Sequence, residues 1–195
     1  GVVDRALAAN VAGAMNVARA ALRSGSVRRV IRTGGLEEYG DVAEPADEAR
    51  REAPTSPYSA SQVTVTHWFG MLQAQTDVML VTLRPALVHG PGQGSGFLVP
   101  ALIGALMAGG RFAMGDGRQR RDLLHVDDMV RAFLLAGERP DLRGAVINIS
   151  TGLPVPMARV AEWLAARLGA ADRLDIGARP PRPRDLPLVS GRNAL

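Results

Sequence analysis

The sequence predicts an α/β fold built on a parallel sheet, followed by a smaller lobe. Over the first 90 residues, helical and strand patterns alternate in the order helix, strand, loop, helix, strand, which is typical of parallel sheets. The second strand, residues 78–83, is apolar almost throughout, as expected for a strand covered on both faces. After Pro85 the chain changes to glycine-rich turns over residues 90–96, where we expect the smaller lobe to begin.

The first element is an amphipathic helix over residues 5–24. Its apolar side chains recur every three or four positions, at Leu7, Val11, Met15, Ala18 and Leu22. Gly25 follows them directly, and a glycine there favours a left-handed cap that ends the helix.

The remaining elements follow from the same kinds of pattern. We expect strands at residues 27–33, 78–83 and 145–149 and helices at residues 59–75, 97–108 and 157–168, with another helix capped by Asp127 or Asp128 and running through Leu135. The stretch 34–57 is rich in glycine, proline and acidic residues, which predicts an exposed loop. Trp68 and Trp163 have aliphatic neighbours at helical spacing, so we expect both in the core.

Composition excludes several classes of protein. The 195 residues are 47% hydrophobic and contain no cysteine, which excludes a disordered chain and a disulfide scaffold. All 23 basic residues are arginine, yet the net charge is only +4 and aromatic residues make up 4%, so we expect no nucleic-acid partner. Three scattered histidines indicate no metal site. The chain has no apolar run of about 18 residues, so we expect no membrane span. Asp4 and Arg5 interrupt the N-terminal segment, so we expect no signal peptide. We therefore expect a cytoplasmic protein.

Five short motifs occur in order and carry the functional signal. They are Asn10-x-x-Gly13-x-x-Asn16, the segment 30–40 with Thr-Gly-Gly and Tyr-Gly, Tyr58-x-x-x-Gln62, Leu83-Arg84-Pro85-x-x-Val88-His89-Gly90-Pro91, and the segment 115–128 with Arg121-Asp122. No G-x-G-x-x-G dinucleotide fingerprint occurs in the chain.

This ordered set resembles the extended short-chain dehydrogenase/reductase family, in particular the NAD-dependent epimerases and dehydratases acting on nucleotide sugars. The resemblance runs from about residue 3 to residue 190. It implies a partial Rossmann-like parallel sheet, with residues 1–90 as the C-terminal half of an NAD(P)-binding domain and residues 91–195 as a substrate-binding lobe. By that comparison the glycine-rich half precedes these residues, and the chain is a C-terminal piece of the family fold.

The resemblance places Tyr58 at the catalytic base and Gln62 at the family's lysine. An isolated tyrosine has a pKa of about 10, and a neighbouring ammonium lowers it so that the phenolate can remove a hydroxyl proton. Gln62 can donate a hydrogen bond to a ribose, but it supplies no charge. The resemblance also places Pro85 beside the nicotinamide, so the expected cofactor is NAD or NADP.

Four further positions concern the reacting sugar. Gly35 stands at the family's Ser or Thr, which hydrogen-bonds the reacting oxygen, and Thr33 is a candidate substitute if the strand continues. Glu37 falls where nucleotide-sugar 4,6-dehydratases keep a glutamate, but Leu36 stands at their aspartate. Glu37 is therefore either a catalytic residue or a solvated loop side chain.

On the substrate side, the resemblance assigns Arg121 and Arg182 to the diphosphate of a nucleotide-diphosphate sugar, for which guanidinium groups are suited. Leu87 stands where epimerases often have an asparagine that touches the sugar. The resemblance also implies a homodimer formed through the helices at residues 5–24 and 59–75.

Two functions remain open. One is an NAD(P)-dependent nucleotide-sugar epimerase, dehydratase or reductase. The other is a non-catalytic, nucleotide-sugar-binding or scaffold homologue, since neither the Ser/Thr nor the lysine is present.

Overall fold

The structure is a computed structural model that describes residues 1–180 and 185–192. The helices are α1 (Val2–Ala6), α2 (Gly13–Ser24), α3 (Pro57–Gln73), α4 (Leu98–Met107), α5 (Val126–Glu138) and α6 (Met157–Arg167). The strands are β1 (Arg29–Thr33), β2 (Met79–Pro85), β3 (Leu87–His89), β4 (Phe112–Met114), β5 (Arg120–Arg121), β6 (Leu123–His125), β7 (Val146–Ile149), β8 (Val155–Pro156), β9 (Leu174–Ile176) and β10 (Leu188–Val189).

The central sheet has the strand order β1-β2-β7, and both pairings are parallel. Val30 lies opposite Leu80, and Thr82 lies opposite both Arg32 and Val146. The predicted α/β fold with a parallel sheet is confirmed. The chain leaves this sheet after β2 and returns to it at β7, so β3 to β6, α4 and α5 are inserted between two strands of the same sheet.

The side chains of β2 alternate between two helical layers. Leu80 packs with Ala18 of α2 and with Val65 and Phe69 of α3. The next residue, Val81, lies in the opposite layer, against α5. Because successive side chains of a strand point to opposite faces, β2 is covered on both sides, as its apolar sequence predicted.

The predicted first helix is continuous with a π-helical segment, Leu7–Ala12, between α1 and α2. Gly25 adopts φ +68°, the left-handed conformation expected of the cap. Inside the π-helical segment, Asn10 donates a hydrogen bond of 2.8 Å from Nδ2 to Ser61 Oγ, which ties this segment to the first turns of α3.

The smaller lobe has its own apolar core between α4 and α6. Leu102 and Leu106 of α4 meet Ala161 and Ala165 of α6 over the parallel pair β4-β9. A separate cluster that includes Tyr39 and Leu188 lies between this lobe and the central sheet.

Three predictions about local structure were wrong. The stretch 34–57 is not simply an exposed loop, because its 3-10 turn, Leu36–Tyr39, buries the side chains of Leu36, Glu38 and Tyr39. Trp68 and Trp163 are not core residues, since they are 46% and 63% exposed. Neither Asp127 nor Asp128 caps α5; the cap is His125, whose Nδ1 accepts from the Asp127 N–H at 3.2 Å.

Candidate active site

A cavity of about 550 Å³ opens at the carboxyl ends of β1 and β2. Ligands of open parallel sheets bind at this edge of the sheet. The cavity brings together six residues that the sequence singled out, namely Thr33, Gly35, Glu37, Tyr58, Pro85 and Leu87. Its opposite wall is the glycine-rich segment 90–94 with Phe97.

Tyr58 stands in the first turn of α3. Ser56 caps this helix by accepting from the Ser59 N–H at 3.1 Å, and Pro57 is its first residue. The Tyr58 side chain is half exposed to the cavity. Burial and the carboxylate of Glu37 raise the pKa of the Tyr58 phenol, whereas a hydrogen bond from Gln62 and the charge of Arg32 act to lower it.

Gln62 lies one turn further along α3 and faces a guanidinium group rather than open solvent. Its side-chain oxygen accepts a short hydrogen bond from Arg32 Nη2. The residue that the resemblance places at the family's lysine is therefore joined to a cation of the neighbouring strand.

Arg32 is 9% exposed and lies beneath the start of α3. Besides the Gln62 amide, its Nη1 donates to Thr66 Oγ1 at 2.8 Å and to the Gln62 main-chain oxygen at 3.3 Å. The guanidinium also lies 5.8 Å from the centre of the Phe69 ring. Burial lowers the pKa of Arg32 below its ordinary value, against the raising effect of Glu38.

Glu38 is fully buried between two arginines. Arg84 Nη2 lies 2.7 Å from Glu38 Oε2, whereas Arg32 Nη2 is 4.0 Å from Glu38 Oε1. Thr66 Oγ1 donates to the same carboxylate at 2.8 Å. Arg84 continues the network to Glu52 at 2.6 Å, and its guanidinium stacks on the Tyr39 ring at 4.7 Å.

The two glycines at the end of β1 provide the space for two glutamates. A Cβ on Gly34 would collide with Glu38 Oε1 and lie 3.2 Å from Thr82. A Cβ on Gly35 would lie 2.8 Å from Glu37 Oε2. The Glu37 carboxylate thus occupies the space that a side chain at position 35 would need.

Thr33 is the last residue of β1, and its side chain is exposed at the mouth of the cavity. Buried Pro85 forms part of the cavity wall on the β2 side. Among the described residues, Gln62 and Arg121 are not part of the cavity lining.

The model of the NAD dependent epimerase/dehydratase family matches residues 4–150, which includes β1, α3, β2 and the cavity. The chain belongs to this family. The chain is 35% identical over 183 residues to UDP-glucose 4-epimerase of Mycolicibacterium smegmatis, covering 91% of this chain and 57% of that protein. It is also 32% identical over 174 residues to 2-alkyl-3-oxoalkanoate reductase of Stenotrophomonas maltophilia, covering 83% of this chain and 51% of the reductase.

A solved structure shows the same fold. The crystal structure of UDP-glucose 4-epimerase from Thermotoga maritima with UDP-glucose superposes with a TM-score of 0.87 at 26% identity, covering 95% of this chain and 60% of that one. The chain therefore spans between half and two thirds of the length of these proteins of the epimerase/dehydratase family.

Relative to the family pattern, the candidate diphosphate site is only partly described. Arg121, on β5, donates to the Leu186 carbonyl at 2.8 Å and forms a short ion pair with Asp185. Arg182 lies outside the described residues. The structure thus gives Arg121 an anionic partner from the segment that follows Arg182.

Sequence reasoning missed the buried network of Arg32, Glu38, Arg84 and Thr66. One signal was present, since Arg32 follows Val30 and Ile31 inside a predicted strand and Arg84 directly follows the mostly apolar strand 78–83. A charged residue in such a position is rarely buried without a partner. The partners, however, stand 28 to 46 residues away, and no local pattern connects them.

Among the described residues, no group of three or more His, Asp or Glu side chains is arranged to hold a metal ion. Within the same residues, no helix has the length and apolar character needed to cross a membrane.

Proposed function

We propose that the complete protein is an NAD(P)-dependent oxidoreductase of the epimerase/dehydratase family that acts on a nucleotide-diphosphate sugar. The observation that carries the proposal is the position of Tyr58, whose phenol faces a cavity at the carboxyl ends of β1 and β2. Membership of the family and the similarity to two UDP-glucose 4-epimerases support the substrate class.

The residues at this edge fit the nicotinamide riboside part of the cofactor. Tyr58 lines the cavity, and Gln62 stands one helical turn further along α3, outside the cavity lining. A hydroxyl and an amide can both hydrogen-bond ribose hydroxyls. Pro85 offers an apolar wall for the ring. When bound, the cofactor supplies hydride exchange with a sugar carbon.

The chain's own contribution is to move and hold a proton. Tyr58 would take the proton of the sugar hydroxyl at its Oη as that carbon is oxidised, and return it on reduction. Glu37, whose carboxylate occupies the space next to Gly35, would accept a hydrogen bond from a neighbouring hydroxyl of the sugar. Thr33, at the mouth of the same cavity, would donate a hydrogen bond to the reacting oxygen.

The substrate's diphosphate would bind at Arg121 and Arg182. Because Arg121 is paired with Asp185, the diphosphate would have to replace the Asp185 carboxylate as the partner of the Arg121 guanidinium. Leu87 lines the cavity near the place proposed for the sugar and offers it an apolar contact.

A second function is favoured by one specific observation. Neither Gln62 nor Gly35 has the side chain that the family uses, and the Tyr58 pKa is raised by burial and by Glu37 rather than lowered. A protein that binds nucleotide sugars without turning them over is therefore the alternative.

Intact mass and bound nucleotide, measured by native mass spectrometry on the protein as its source makes it, come first. A subunit carrying NAD or NADP supports the enzyme. A subunit near the 20.6 kDa of this chain without nucleotide supports the binding protein.

In a form that carries cofactor, Tyr58→Phe should abolish conversion of UDP-glucose or dTDP-glucose, because no group would remain to carry the hydroxyl proton. Binding of UDP-glucose, followed by calorimetry, should persist in the same variant. Unchanged turnover in Tyr58→Phe would rule out the proposed role, and binding without turnover in the unmodified protein would select the alternative.

We further propose a homodimer in which the α1–α2 helix and α3 pair with their copies. Both helices expose apolar side chains, including Val3, Leu7 and Val17 on the first and Trp68 and Met71 on the second. Large exposed apolar groups on neighbouring helices are typical of interaction surfaces.

A further inference from the structure

We propose that Arg32 supplies the positive charge that stabilises the Tyr58 phenolate, and that it acts through the side-chain amide of Gln62. The inference rests on the proposed function, in which Tyr58 carries the proton. It makes Arg32 a positioning residue, since its contact is with Gln62 and not with the cavity.

The position of Arg32 follows from the register of the sheet. Arg32 lies opposite Thr82 and two residues after Val30, whose side chain packs in the layer of α2 and α3. Because strand side chains alternate, Arg32 points to the same layer and meets α3 at Gln62 and Thr66. The buried Arg32 side chain contacts Gln62 from the side of the sheet.

The connection to Tyr58 uses both ends of the amide. Tyr58 and Gln62 stand four residues apart on one face of α3. The Gln62 oxygen accepts from Arg32, and a hydrogen bond from the Gln62 amide acts to lower the pKa of Tyr58. A guanidinium that polarises the amide oxygen strengthens donation from the amide nitrogen. Arg32 would thus supply the positive charge of the family's lysine from further away, with the Gln62 amide between the charge and the phenol.

The charges around the phenol leave Arg32 available for this role. Glu37 and Glu38, from the 3-10 turn, and Arg32, from β1, are the charged groups that act on Tyr58. Glu38 is held by Arg84 at 2.7 Å and lies 4.0 Å from Arg32, so its charge is balanced mainly by Arg84. Burial lowers the pKa of Arg32, but a delocalised guanidinium keeps its proton at the pH at which a phenol titrates.

The test is a titration of the phenols by phenolate absorbance on the folded protein, which requires neither cofactor nor sugar. The chain has two tyrosines, and Tyr58→Phe identifies the Tyr58 step. In Arg32→Gln, a neutral polar side chain replaces the cation, and the Tyr58 midpoint should move to higher pH.

The matched control is Arg29→Gln. Arg29 belongs to the same strand but points to the opposite layer, where it donates to the Ala136 carbonyl at 2.9 Å. Its removal should leave the Tyr58 midpoint in place. Should Arg32→Gln not fold by circular dichroism, Arg32→Met is the second neutral variant, since it places no unpaired polar group in the layer.

An unchanged midpoint in a folded neutral variant of Arg32, or an equal shift in Arg29→Gln, would overturn the inference. Failure of the proposed function is measured separately, by turnover and nucleotide binding. A shifted midpoint in a protein without turnover would keep the electrostatic role of Arg32 and reject the enzyme.

Discussion

At the scale of single residues, the two glycines that follow β1, Gly34 and Gly35, and the two glutamates of the next turn, Glu37 and Glu38, depend on each other. Glu38 is fixed by Arg84 and Thr66, so it has no room to yield to a side chain at position 34. Glu37 is partly exposed at the cavity and can turn away from position 35. The two glycines therefore tolerate a methyl group very differently.

We expect Gly34→Ala to lower the free energy of unfolding by about 2 kcal/mol, because overpacking of a closely packed layer costs about 1–3 kcal/mol. Gly35→Ala should cost less than about 1 kcal/mol, since the far end of a flexible side chain can move. Urea unfolding followed by tryptophan fluorescence measures both. Equal losses in the two variants would show that the Glu38 network is not rigid.

At this scale, the sequence predicted the site residues that belong to a short motif. Tyr58, Glu37 and Pro85 were identified from short patterns, and the structure brings them into one cavity. The role of Arg32 could not be predicted, because its partners Gln62 and Thr66 are 30 and 34 residues away. Burial of a charge depends on pairing in three dimensions, which no local pattern records.

At the scale of elements, Asp122 joins segments from three parts of the chain. It lies between β5 and β6, is fully buried, and accepts from the Thr151 N–H at 3.0 Å, the Gly152 N–H at 2.8 Å and Ser190 Oγ at 3.0 Å. Burial acts to raise the pKa of Asp122, but the hydrogen bonds from Thr151, Ser150 and Ser190 hold it below its ordinary value.

Asp122→Asn should lower the free energy of unfolding by about 2 kcal/mol, the cost of leaving a buried donor unpaired. Each carboxylate oxygen accepts from a backbone N–H, Oδ1 from Thr151 and Oδ2 from Gly152. Either orientation of an asparagine amide therefore sets its NH2 against a backbone donor. Urea unfolding at pH 7 measures the loss, with Asp128→Asn, on the exposed first turn of α5, as the control.

The pH dependence has a definite sign. The folded pKa of Asp122 is lowered, so its contribution is complete above the unfolded pKa, about 3.8, and is lost as the pH falls through the folded value. The difference in stability between the unmodified protein and Asp122→Asn should accordingly shrink below about pH 4. A difference that stays constant from pH 7 into this acid range would contradict the assignment.

Most elements were predictable because their signals are local. Gly25 ends α2 with φ +68°, and the apolar run of β2 is buried on both faces. The π-helical segment Leu7–Ala12 was not predictable from local pattern, and its contact from Asn10 to Ser61 joins residues that are 51 positions apart in the sequence. His125 was missed as a cap because Asp127 and Asp128 follow closely, and aspartate is the commoner capping residue.

At the scale of the whole molecule, the two exposed tryptophans lie on different surfaces, and only one of these surfaces is proposed to bind a second copy of the chain. Helical spacing made Trp68 and Trp163 look alike in the sequence, but neither is buried in the monomer. Trp68 lies on α3, next to the helix that exposes Leu7 and Val17, whereas Trp163 lies on α6 of the smaller lobe beside Arg167. The proposed dimer therefore assigns an interface role to the first tryptophan and none to the second.

We expect Trp68→Glu to weaken self-association by at least about 30-fold, because a central interface tryptophan contributes about 2 kcal/mol or more and a buried unpaired charge opposes pairing. Trp163→Glu introduces the same charge on α6 and should leave the association unchanged. Sedimentation equilibrium over a range of protein concentrations measures both constants. A monomeric unmodified protein, or equal weakening by the two substitutions, would reject the pairing of α1–α2 and α3 with their copies. Loss of the dimer in Trp68→Glu alone would locate the interface on the same helix that carries Tyr58, so that association and the candidate active site depend on one element.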